Sequence, residues 1–159
     1  MLNFARMTAL LSAKADHGHT PCLQVAMPEA FALGMVRRLT AIRSSGVEPD
    51  PLASVRAACQ SFHRELSFWL GADGSRALFT GAIGRARSAH PVLEDIRQEA
   101  VLSPTHPAIA QGVQTYGAAA TAAALEATLV MLVELLGRLI GDDMAARILE
   151  NSEKRRAVD

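Results

Sequence analysis

The chain has 159 residues, half of them hydrophobic but only 4% aromatic, so its apolar mass is Ala, Leu and Val rather than rings. That length suits one domain with a core of its own. Sixteen basic and sixteen acidic side chains cancel, which removes the bulk field that would draw nucleic acid or an anionic membrane.

The opening residues MLNFARMTALLSAK predict a short amphipathic helix over Leu2 to Ala13. They lack the basic segment and unbroken apolar run of a signal peptide. Asp16 to Pro21 then breaks the helix with Gly and Pro. Leu23 to Met27 is the one strand-like run, too short to make a sheet by itself. Pro28 suits the first turn of a second helix that turns Ala32, Met35, Leu39 and Ile42 inward and Arg37, Arg38 and Arg43 outward. Asp50-Pro51 caps a third helix. Its apolar residues Leu52, Val55, Cys59, Phe62, Leu66 and Trp69 recur in steps of 3, 4, 3, 4, 3 as far as Gly71.

A fourth helix from Asp73 or Ser75 turns Phe79, Ala82, Ile83 and Ala86 inward, until His90-Pro91 interrupts it. A short fifth holds Val92, Leu93, Ile96 and Ala100, and Ser103 to Pro107 is the clearest loop. A sixth, about Ala108 to Tyr116, leads into the longest apolar stretch, Gly117 to Ile140. There Ala118, Ala122, Leu125, Leu129, Leu132, Leu136 and Leu139 form a seam of alternating 4 and 3 steps. A helix apolar nearly all round is buried by several neighbours or by a second subunit. It does not suit a bilayer: Glu126 and Glu134 would each cost about 2.5–3.5 kcal/mol inside the span. Gly141-Asp142-Asp143 ends it and caps a last helix with Met144, Ile148 and Leu149, and residues 151–159 form a polar tail expected to fray.

The expected fold is therefore all-α: a single helical bundle of six or seven helices, spanning residues 1–159, around a long, near-C-terminal apolar helix.

Chemistry is harder to find. His17-Gly18-His19, with Asp16 before and Cys22 after, places four possible metal ligands within seven residues. No second His/Cys pair stands at a zinc-finger distance, and a polar loop explains the same residues. Cys59 and His63 are one helical turn apart, which suits half a metal site or a thiol with a base. A small core cysteine beside a flanking histidine is the plainer alternative. His63 and His90, on successive helices, are candidates to hold haem, although aromatic lining is scarce.

In size and helical class the chain resembles histidine phosphotransfer domains, which implies a phosphoacceptor role for His63. Those domains place Lys and Gly just after the histidine. Here Arg64, Glu65, Leu66 and Ser67 follow, so the resemblance covers helical content and not the motif. Glu94-Asp95 and Asp142-Asp143 cannot converge, since neighbouring helical residues point about 100° apart. There is no phosphate-binding glycine loop, nucleophile elbow or Glu-x-x-His pair. The arginine faces lack the interleaved aromatics of a nucleic-acid surface.

These readings converge on a small cytoplasmic interaction or regulatory module without a cofactor. It is expected to be homodimeric through Leu129, Leu132, Val133, Leu136 and Ile140, with room for another protein partner. The two cysteines, far apart in a chain that needs no staple, agree with a reducing compartment. The alternative is a sensor that binds a ligand, haem or a transition metal through His17, His19, Cys22, His63 or His90.

Overall fold

The computed structural model describes residues 29–40, 50–103 and 106–156. Six α-helices and one short 3₁₀ turn occupy them, with no strand among the described residues. The expected helix over Leu2 to Ala13, the strand-like Leu23 to Met27 and the His17, His19 and Cys22 cluster lie outside the described residues.

Helix α1 is Glu29–Thr40 and buries Ala32, Met35 and Val36. Helix α2 is Pro51–Ala86. Asp50 opens it by accepting a 3.0 Å bond from the Leu52 N–H, with proline at the first turn, where an N–H is dispensable. The helix is broken at Gly71, whose φ of 75° and ψ of 168° suit almost no other residue. Two limbs result, 51–70 and 72–86. Thus the expected stop at Gly71 and restart near Asp73 are met inside one element.

A 3₁₀ turn, Pro91–Leu93, and helix α3, Gln98–Leu102, follow. Five residues cannot sustain a helix alone. The first limb of α2 supports this one: Arg56 donates to the Ser103 carbonyl, and Gln60 donates to the Leu102 carbonyl at 3.0 Å. These are carbonyls that a helix end leaves without partners.

Helix α4 is Pro107–Tyr116, capped by the His106 ring, whose Nδ1 accepts from the Ala108 N–H. Helix α5, Ala118–Ile140, is bracketed by Gly117 (φ 89°) and Gly141 (φ 87°). The sharp break at Gly117 separates α4 from α5, so the two are not one continuous helix. Helix α6 is Asp142–Arg156, with both aspartates in its first turn, where the dipole favours them.

The long α5 is the axis of the fold. Helix α2 packs most extensively against it, and α1, α4 and α6 cover other parts of its surface. Ala122, Leu125, Leu129, Leu132 and Leu136 of the seam are buried, with Val130 and Val133 beside them. By length and composition α5 could cross a membrane, yet just over half of its apolar window, 56%, is already buried against the rest of the chain. Its two buried threonines satisfy themselves: Thr121 donates to the Gly117 carbonyl and Thr128 to that of Ala124, each at 2.9 Å.

The polar C-terminal segment departs from expectation. Helix α6 runs through Arg156, and Ser152 is fully buried against α2. Its hydroxyl donates to Ser61 Oγ at 3.1 Å, while Ser61 donates to the Ser152 carbonyl at 3.3 Å. One turn on, Arg155 Nε lies 3.2 Å from Oε2 of the buried Glu65. A polar seam therefore docks the segment that sequence reading leaves frayed.

Candidate functional site

The five residues expected to form a subunit face are largely core. Leu129, Leu132, Val133 and Leu136 are each wholly buried, and Ile140 packs partly buried against them. The chain's own helices supply the cover for which a second subunit was invoked. Of the expected seam of α5, Leu139 stays 62% exposed, and a second exposed apolar patch lies on α2: Phe68 is 71% exposed and Trp69, expected on the inward seam of α2, is 48% exposed. Their rings meet edge to face at 5.7 Å. The Trp69 indole donates to Glu65 Oε1 at 3.0 Å, and the Arg155 guanidinium lies 5.8 Å from the Phe68 ring centre.

Among the described residues, no three His, Cys, Asp or Glu side chains gather where they could share a metal ion. Cys59 is buried in the core. His63 is held by something the sequence reading lacked. Its Nδ1 lies 2.7 Å from the hydroxyl of Ser75, and its ring edges against Phe79 at 5.6 Å. Both partners belong to the second limb of α2, so it is the break at Gly71 that brings them back onto the first. Burial, and then the positive charge of Arg76, lower the His63 pKa below the usual imidazole value.

His63 lines a small hollow of about 180 Å³ with Arg76, Gln98, Glu99 and Leu102. A second hollow of about 330 Å³ adds Thr80, Arg87, Glu94 and Arg97. The two share Arg76, Gln98 and Glu99, and so form one polar cleft between the second limb of α2 and α3.

His90 lines a different space, with no lining residue in common. This cleft, about 450 Å³, lies between α1, the end of α2 and α5. Leu33, Ala123, Ala127, Val130 and Met131 make an apolar wall, and Arg37, Arg85, His90 and Glu126 add charged or titratable groups. The two histidines considered as haem ligands thus serve separate cavities. Helix spacing alone could not reveal this, because the lining of this cleft comes from three separate stretches of chain.

No protein-family model, no curated protein and no solved structure matches this chain.

Proposed function

We propose that this protein is a small helical regulatory module that holds an amphipathic organic acid in the cleft between α1, α2 and α5. The observation that carries the reading is the composition of that 450 Å³ cleft: an apolar wall with two arginines, a histidine and a single carboxylate, Glu126, around it. Its volume falls within the roughly 300–1,000 Å³ of ordinary small-ligand sites, which are mostly apolar with a few polar groups that fix orientation. Arg37 and Arg85 suit a carboxylate or sulfonate head, and Val130 and Met131 suit its hydrocarbon part. The unbranched thioether of Met131 adapts to ligands of differing shape.

The test is titration with decanoate, followed by displacement of the fluorescent amphipathic anion 8-anilinonaphthalene-1-sulfonate. Saturable binding of both is expected, with loss in Ala127→Trp, which fills the cleft, and roughly tenfold weakening in Arg85→Ala. Equal binding by Ala127→Trp would overturn the reading.

A second reading, contact with another protein or a second copy of the chain, rests on Phe68 and Trp69. Aromatic residues and arginine dominate binding hot spots, and here Arg155 stands beside the aromatic pair. Light scattering of the wild type and of Phe68→Ser/Trp69→Ser tests self-association. A common mass at every concentration would remove the dimer from this reading.

A further inference from the structure

The polar cleft beside α3 carries an unmet hydrogen-bonding demand. Gln98 is only 8% exposed, yet its Oε1 has no partner among the described residues. A buried acceptor left in that state costs free energy, so a donor is the missing element. Three guanidiniums, Arg76, Arg87 and Arg97, line the same cleft, and none is ion-paired with a carboxylate among the described residues. Arg87 spends one donor on the Leu93 carbonyl at 3.2 Å, which steadies it and leaves the rest of its fork unused.

These two demands point to different parts of one ligand. Unspent guanidiniums suit the oxygens of a phosphoryl group, which they can meet in bidentate fashion. Gln98 Oε1 and the Glu99 carboxylate accept, and so need hydroxyls. A fatty acid offers no such donors, and Glu94 and Glu99 would repel a continuous polyanion. The His63 ring already engages Ser75 through Nδ1, which leaves Nε2 as the atom it can offer a ligand.

We infer that this cleft binds a small phosphorylated polyol of the sugar-phosphate class, with Arg76, Arg87 and Arg97 on the phosphoryl group and Gln98 and Glu99 on hydroxyls. The site is separate from the apolar cleft of the proposed function. Its two hollows, about 330 and 180 Å³, meet at Arg76, Gln98 and Glu99, with Arg87 and Arg97 beside the larger and His63 beside the smaller.

Calorimetric titration of the full chain with glucose 6-phosphate, inorganic phosphate and glucose tests this. Glucose 6-phosphate is expected to bind at least tenfold more tightly than inorganic phosphate, and glucose to give no heat. Arg97→Ala, on an exposed side chain, weakens glucose 6-phosphate roughly tenfold. Gln98→Leu weakens it similarly while melting no lower than wild type, because it removes an unsatisfied buried oxygen. Ala127→Trp, altered in the other cleft, binds as wild type. Glucose 6-phosphate failing at millimolar concentration, binding no better than inorganic phosphate, or binding Gln98→Leu unchanged would each overturn the assignment.

Discussion

Gly141 and Gly84 make opposite demands on the chain, although each has open space where a Cβ would go. Gly141 holds φ at 87°, a region other residues avoid, so Gly141→Ala should lose about 1–3 kcal/mol through the backbone alone. Gly84 lies in the helical second limb of α2 without that strain, so Gly84→Ala should gain about 0.5–1 kcal/mol. Urea unfolding followed by the fluorescence of Trp69, the only tryptophan, measures both. His63 gives a pH signature. Its pKa in the folded chain lies below the unfolded value of about 6.5, since burial and Arg76 disfavour the charged ring. Below that pH the unfolded chain takes up a proton that the folded chain resists. Its contribution is therefore complete above about pH 6.5 and is lost as pH falls towards the folded pKa. His63→Gln should flatten the fall of melting temperature between about pH 7 and 5. Identical profiles for the two proteins would refute this role.

At the scale of elements, the α2–α6 seam is where a local change has the largest reach. Arg155 is half exposed, but its partner Glu65 is only 2% exposed, so this is not an ordinary surface pair worth about 0–1 kcal/mol. Arg155→Ala leaves the buried carboxylate with only the Trp69 indole, and should cost about 1–3 kcal/mol. Adding Glu65→Gln removes the stranded charge, so the double variant should lose less than the sum of the two single losses. A denaturation cycle over the four proteins checks the coupling. The same seam marks where sequence reading reaches its limit. Asp50-Pro51, Gly71, Gly117 and Gly141 are punctuation with a local cause, and the helix boundaries they imply are the ones found. Ser152 and Arg155 carry no such signal. Their burial and pairing depend on Ser61 and Glu65, roughly ninety residues away in sequence, which no helical period encodes. The sites fail to show for the same reason. His63 is visible as a residue, but Ser75, Arg76 and Gln98 join it only after the chain turns back at Gly71 and again before α3.

For the whole molecule, the question is whether the apolar surplus of α5 requires a second subunit. Leu129, Leu132, Val133 and Leu136 are wholly buried by helices of the same chain, so the core is complete without one. Such a core is intramolecular, so burial of the α5 seam adds no concentration dependence of its own, whereas an obligate dimer gains stability by mass action. With contact through the exposed rings removed, in Phe68→Ser/Trp69→Ser, the melting temperature should therefore stay constant from low to high micromolar concentration. Leu132→Ala should cost about 2–5 kcal/mol, the sum of lost transfer energy and the cavity left behind, and should do so equally at both ends of that range. Association through Phe68 and Trp69 behaves differently, because those rings are exposed in the folded chain and their removal leaves the core intact. Phe68→Ser/Trp69→Ser should thus alter mass without a core-sized loss of stability, and Leu132→Ala should alter stability without altering mass. A melting temperature that climbs with concentration in the wild type and stops climbing in Leu132→Ala would put the seam of α5 back at a subunit contact.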